Sequence, residues 1–292
     1  MNSNDAKQTP SALPDLELFM RISDQEFQNI RSLVYDRFGI NLTDQKRGLV
    51  VGRLQRLLHT QGFKNFGDYY QYLTADKTGQ ALVDLINRIS TNYTYFYREN
   101  AHFDFFSQTV MPWIVEDLKA GNRRDVRVWS AGCSTGQEPY GLTMLLMEYF
   151  GPEYGTWDAG VLATDISANA LQQAAAGVYP EDQVSMLPKN LASKYFSPSG
   201  SGRLAVIPRV KQEVTFRIFN LMTKSFPFKK KFHAIFCRNV MIYFDAPTRA
   251  ELVRKFFEFT TPGGYLFIGH SESLGRQDSM FRYIMPAVYR KI

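Results

Sequence analysis

Apolar residues recur at helical spacing from Phe27 onward. Phe27, Ile30, Leu33, Val34 and Phe38 fall on one face. The run opens on Ser23-Asp24-Gln25-Glu26, a capping box, and Gly39 suits the left-handed stop that follows a helix. Thr43 or Asp44 caps a second helix running to about His59, with Val50, Leu54, Leu57 and Leu58 as its apolar face. A third helix around 66–75 carries Tyr69, Tyr70 and Tyr72, and a fourth around 79–90 carries Leu82, Leu85, Ile86 and Ile89. These four predict an all-helical N-terminal domain over residues 22–90. Residues 1–21, with Pro10 and Pro14 among small polar side chains, read as a flexible tail.

The pattern then changes. Thr91–Glu99 is polar and aromatic with no clear period, so 91–100 reads as a linker, with Asn92, Thr94 and Arg98 placed to form one wall of a cleft. A helix is expected at about 100–120. Val126–Ser130 is a buried strand, followed by the small residues 131–136 and then by Gln137-Glu138-Pro139 and an apolar run to Phe150. Strand, glycine loop and helix start form the opening unit of a nucleotide-binding α/β domain. Pro139 is tolerated in a first helical turn. Further strands are expected at about 159–163, 214–219, 233–237, 265–269 and 287–291, with helices at 166–176 and 247–259. Residues 101–292 therefore predict a Rossmann-like α/β domain. Residues 178–213 interrupt it with Pro180, Pro188, Pro198, Pro208 and the run Ser197–Gly202. Strand-like pieces at 194–196, 204–207 and 210–212 predict a small inserted antiparallel β-subdomain.

Length and composition narrow the classes. A chain of 292 residues accommodates two modest domains, and no apolar run approaches the roughly 20 residues of a membrane span. The polar start lacks the layout of a secretory signal, and Cys133 and Cys237 form no disulfide framework, which together predict a cytoplasmic protein. The four histidines show no metal-ligand spacing, so no metal is expected. The net charge of +6 fits an acidic partner: nucleic acid, anionic lipid or an acidic protein surface. Lys46, Arg53 and Arg56 share one face of the second helix, which is either a docking surface or an ordinary solvated face.

The candidate chemistry lies at strand ends. The loop at Gly132, Asp165, Asn220 and Arg238-Asn239 each follow a strand, and in open α/β sheets such ends converge on a ligand. Gly132 and Gly136 do not make the G-x-G-x-x-G of a dinucleotide site, and Glu138 would repel a pyrophosphate. An acid beside this loop suits a ligand with a positive centre and hydroxyls, such as S-adenosylmethionine. Asp165 is placed for ribose hydroxyls, or for capping the next helix, or both.

At this point the residues resemble a family, the CheR chemotaxis receptor methyltransferases. The matching strings are TNYTYFYRE (91–99), VWSAGCSTGQEPY (128–140), LATDIS (162–167), FNLM (219–222), AIFCRNVMIYF (234–244) and GGYLFIGHSE (263–272). The resemblance implies a class I S-adenosylmethionine-dependent methyltransferase domain behind a helical domain. The implied activity is methylation of glutamate carboxylates on the cytoplasmic domain of methyl-accepting chemotaxis receptors, by an enzyme recruited to membrane receptor arrays. It places Asn92, Thr94, Arg98, Glu138, Asp165, Asn220, Leu221, Arg238 and Asn239 at the cofactor, and Arg98 and Tyr243 near the methyl transfer. Two departures stand out. Gln137 replaces the first of two acids the family often has before the loop proline. The segment around 197–207 reads as shorter than in members whose β-subdomain binds a C-terminal receptor pentapeptide, which leaves such a tether open.

Three rivals are weaker. An RNA methyltransferase acting on base amino groups would carry an Asn/Asp-Pro-Pro-aromatic string after the strand ending at Cys237, where Arg238-Asn239-Val240 stands. A non-catalytic cofactor sensor does not need Arg98 and Tyr243. A nicotinamide dehydrogenase is disfavoured by the loop spacing.

Overall fold

A computed structural model describes residues 20–90, 93–274 and 280–292. The expected tail, except its last two residues, lies outside them, as does Asn92. Helix α1, Asp24–Phe38, starts at the predicted capping box: Ser23 and Glu26 exchange hydrogen bonds, and Gly39 closes the helix at φ 68°. A short 3₁₀ turn, Asp44–Lys46, leads into α2, Arg47–Gln61. Helices α3, Phe66–Ala75, and α4, Gln80–Ile89, complete the bundle. Phe27, Ile30, Val50, Leu54, Tyr69 and Leu85 are buried at its centre. The apolar stripes read for α1, α2 and α4 are the stripes that pack, whereas in α3 Phe66, Tyr69 and Leu73 are buried and Tyr72 is exposed.

The expected helix at 100–120 is continuous but uneven. It comprises α5, Ala101–Phe105, a π turn at Phe106–Val110, and α6, Met111–Ala120. Pro112 sits just inside α6, where its ring lacks an N–H and crowds the preceding turn. The wider turn absorbs that conflict.

Strand β1, Asp125–Ala131, is followed by α7, Gln137–Phe150, then β2, Asp158–Asp165, and α8, Ala168–Ala176. The inserted segment runs through β3, Val178–Pro180, α9, Glu181–Val184, α10, Lys189–Tyr195, β4, Phe196–Pro198, β5, Arg203–Val206, and α11, Pro208–Lys211. The antiparallel sheet β3-β5-β4 stands as expected, with two corrections. Residues 194–195 are helical and the strand begins at Phe196. The expected strand at 210–212 is the end of a short helix, because Pro208 fixes the φ of a first helical turn. The return to the large sheet follows with β6, Val214–Ile218, β7, Phe232–Cys237, α12, Ala246–Phe259, β8, Thr260–Ile268, β9, Phe281–Met285, and β10, Val288–Lys291. The periodicity did not disclose β3 or β9.

Among the described residues the large sheet has the order β6-β2-β1-β7-β8-β10-β9. Its first five strands are parallel, and β10 and β9 are antiparallel additions. Every residue of β7 is buried, as a parallel strand covered on both faces requires. One face packs on Phe103, Phe106, Tyr140 and Leu146, the other on Phe226, Leu252 and Phe256. The chain winds from β1 through β2 to β6, then returns to lay β7 on the other side of β1. The switch point therefore lies at the carboxyl ends of β1 and β7. No described helix is long and apolar enough to cross a membrane.

The bundle docks on that end of the sheet. Asn41 N donates to Tyr243 O at 2.8 Å, Ile40 forms an antiparallel bridge with Phe244, and Asn220 Nδ2 donates to Arg37 O at 2.8 Å. Tyr35 donates its hydroxyl proton to Asp245 at 2.9 Å.

Candidate active site

A cavity of about 530 Å³ opens beyond the ends of β6, β2, β1 and β7, with Phe38, Ile40, Lys46 and Ile86 of the bundle as its far wall. Thr94, Arg98, Glu138, Asp165, Asn220, Leu221, Arg238, Asn239 and Tyr243 all line it. The volume lies within the usual range for small-molecule sites. Lys46, read as a docking residue, lines the cavity too, with its ammonium 3.3 Å from Asn41 O. Arg53 and Arg56 are not among its lining residues. The Arg53 guanidinium donates to Ile89 O at 2.6 Å, satisfying the last residue of α4, whereas Arg56 is exposed.

The loop after β1 is shaped by close approach between chain segments. Gly132 has φ 80°, and a Cβ there would lie 2.5 Å from Val240 Cγ2 in the loop after β7. Any side chain would both strain the backbone and separate the two loops that flank the switch point. The loop is also tied to β2. Gly132 N and Cys133 N donate to Thr164 O at 2.8 and 2.9 Å, and Ser134 N donates to the Asp165 carboxylate at 2.8 Å. Asp165 accepts a second bond from Ser167 N at 2.9 Å. Ser167, not Asp165, is the N-cap of α8. Burial raises the Asp165 carboxyl above the usual aspartate range, against the pull of these N–H donors. A carboxylate has about four lone-pair sites, so two backbone bonds leave acceptors for hydroxyls. Hydrogen bonds to a charged acceptor are worth about 1.5–3 kcal/mol. Asp165→Asn is therefore expected to weaken S-adenosylhomocysteine binding roughly 10- to 100-fold, measured by calorimetry; unchanged affinity would exclude a ribose contact.

A buried charge network lies beside this loop. Arg238 follows β7 and is 7% exposed. Its Nη1 donates to Glu138 at 3.0 Å, its Nη2 to Glu99 at 3.0 Å, and Nη2 also reaches the carbonyl of Arg98. The guanidinium lies over the Phe103 ring, 5.4 Å from its centre. Glu138 accepts a further bond from Ser130 Oγ at 2.7 Å. The odd acid of the glycine loop thus already has a cationic partner. Glu99 is held at φ 57° and accepts in addition from His270 N at 3.1 Å and Asn239 Nδ2 at 3.4 Å. Burial pushes its carboxyl up, but the Arg238 charge and the N–H donors outweigh that and hold it below the usual range. The Arg98 side chain is steadied by Tyr93 O at 2.9 Å.

Two members of the site escaped the sequence reading. Glu99 stands next to Arg98 in the string TNYTYFYRE, and only the fold shows that it grips both Arg238 and Asn239. Glu272, in the closing string GGYLFIGHSE, is buried and accepts from Asn239 N and Ile242 N at 3.0 Å and from Gly269 N at 2.5 Å. It fixes the turn that carries Tyr243. Its partners come from backbone, which no side-chain pattern reports.

An open, mostly parallel sheet, a glycine loop without a pyrophosphate signature, and an acid at the end of the second strand define a class I S-adenosylmethionine-dependent methyltransferase. The chain belongs to the CheR methyltransferase family. The family's SAM-binding domain matches residues 92–289 and its all-alpha domain matches residues 25–90. A chemotaxis protein methyltransferase of Borreliella burgdorferi is 42% identical over 291 residues, covering 100% of both chains. Those of Escherichia coli strain K12 and Salmonella typhimurium are each 36% identical, over 92% of both chains in the first case and over 96% of this chain and 94% of the relative in the second. The lining is compatible with the cofactor: Asp165 would accept from ribose hydroxyls, and Phe219 and Leu221 would flank an aromatic base.

Proposed function

We propose that this enzyme methylates glutamate side chains on the cytoplasmic domain of methyl-accepting chemotaxis receptors, forming methyl esters in sensory adaptation. The observation that carries the reading is that Arg98, Tyr243 and Lys46 line the same cavity as the glycine loop and Asp165. The names of the relatives add chemotaxis as the setting, which supports reading a cytoplasmic enzyme recruited to receptor arrays.

A glutamate carboxylate has a reference pKa of about 4.3 and is ionised at pH 7, so the acceptor needs no general base. It needs orientation and loss of its water shell. The bound cofactor supplies an electrophilic methyl group on a sulfonium. The Arg98 guanidinium offers a planar fork matched to a carboxylate. The Tyr243 phenol can donate a hydrogen bond without neutralising the nucleophile, and its backbone is held by Asn41 of the bundle. Lys46 adds positive charge at the same wall.

Tritiated methyl transfer to receptor-rich membranes, followed by base treatment, tests the reading. Volatile label released by base identifies a methyl ester, whereas base-stable label or labelled RNA overturns it. Arg56 is exposed on α2, and rim charges act mainly on encounter. Arg56→Glu is expected to raise KM for receptor several-fold while cofactor affinity stays the same; unchanged receptor kinetics would place docking elsewhere.

A further inference from the structure

We propose that Glu99, His102 and His270 form a site for a divalent transition ion of the Zn²⁺ type, behind the wall of the cofactor cavity. The two histidines are far apart in sequence, so no linear spacing reveals them together. The fold brings one ligating atom from each of the three residues within 4.8 Å of the others.

The chemistry of His102 points to a ligand. Its side chain is fully buried. Nε2 lies 3.3 Å from Pro286 O. A carbonyl only accepts, so Nε2 carries the proton and Nδ1 carries the lone pair. Nδ1 has no hydrogen-bond partner among the described residues. It faces Glu99 Oε2 at 3.5 Å, so two electron-pair donors look at each other across a gap. That separation suits one ion bonded to both at about 2.0–2.2 Å. Full burial beside the Arg238 guanidinium favours the neutral ring as a ligand. The bond to Pro286 is what usually orients a ligating histidine. The His270 ring stands perpendicular to His102 with centroids 4.8 Å apart, and its exposure provides the entry path. Two imidazoles and a carboxylate favour Zn²⁺ over Mg²⁺ or Ca²⁺.

The position gives the ion a consequence. Arg238 uses the same Glu99 oxygen, and Asn239 uses the other. An ion on Oε2 competes with Arg238, whose remaining holds are Glu138 and the Arg98 carbonyl. Zinc and cofactor are therefore coupled, with bound zinc weakening the cofactor.

Zn²⁺ titration of the full-length protein against a chromogenic chelator, paired with S-adenosylhomocysteine calorimetry with and without Zn²⁺, tests this. One zinc per chain is expected. His270→Ala should weaken zinc binding by at least the roughly 10- to 100-fold that loss of a mere outer-shell partner costs and leave metal-free cofactor affinity unchanged. Saturating zinc should lower wild-type cofactor affinity about tenfold and the variant's far less. His59→Ala, an exposed histidine elsewhere, should behave as wild type. No zinc bound, zinc binding that survives His270→Ala, or zinc that leaves cofactor affinity unchanged overturns the proposal.

Discussion

Arg98→Ala is expected to lower kcat for receptor methylation by about 10²–10³-fold, the loss typical of removing a preorganised donor from a reacting oxygen. The Arg98 side chain is held in place by its own segment. Its stem rises from a segment that ends in two left-handed residues' neighbourhood, Tyr97 and Glu99, both at φ 57°, and its Nη1 is bonded to Tyr93 O. The guanidinium is thus fixed before any acceptor arrives. Arg98→Lys keeps the charge but loses the planar fork, so it should recover only part of the rate. Steady-state kinetics with separate titration of receptor and cofactor measures both variants. A near-normal kcat for Arg98→Ala would remove this side chain from the mechanism.

Arg238→Ala is expected to destabilise the fold by about 3–5 kcal/mol, the cost of leaving a buried charge without its partner. Here two carboxylates are stranded at once, because Glu99 and Glu138 meet on the same guanidinium. For a chain of this size the melting temperature should fall roughly 6–20 °C. Cofactor binding should be lost with it, since the stranded acids would draw the loops after β1 and β7 into new positions. Arg238→Lys should not rescue, because one ammonium cannot serve Glu99, Glu138 and the Arg98 carbonyl in a fork geometry. Thermal unfolding and calorimetry with S-adenosylhomocysteine measure the two effects. A variant as stable as wild type would mean that the three charges do not act as a unit.

The elements easiest to read from sequence were those with long, regular apolar faces. Helices α1 to α4 and strand β7 follow directly from where Phe27, Leu54, Leu85 and Ile235 stand. The cavity-lining residues were legible because polar side chains at four strand ends had nowhere else to converge. Short pieces were not legible. Val178–Pro180 is too brief for a period, Phe281–Met285 does not alternate between buried and exposed positions, and α11 hides behind an apolar Val210 that serves a helix as well as a strand. Electrostatic pairing was illegible for a different reason. Glu138 was read as facing a positive ligand, and the structure also pairs it with Arg238 across one hundred residues of chain. Arg53 carries a charge pattern fit for docking, and its guanidinium also binds a helix end, a role visible only once α2 and α4 are packed.

Gly39 stops α1, yet it also sets the thickness of a seam. A Cβ there would lie 2.5 Å from Met222 Sδ and 2.8 Å from Thr248 Cγ2, both on the sheet side. The next two residues, Ile40 and Asn41, are the ones that pair with Phe244 and Tyr243. One methyl group added at this point would therefore act as a wedge, prying the bundle off the turn that presents Tyr243. The packing at this one glycine thus sets how closely the bundle and the Tyr243 turn can meet, and with it the width of the cavity between them.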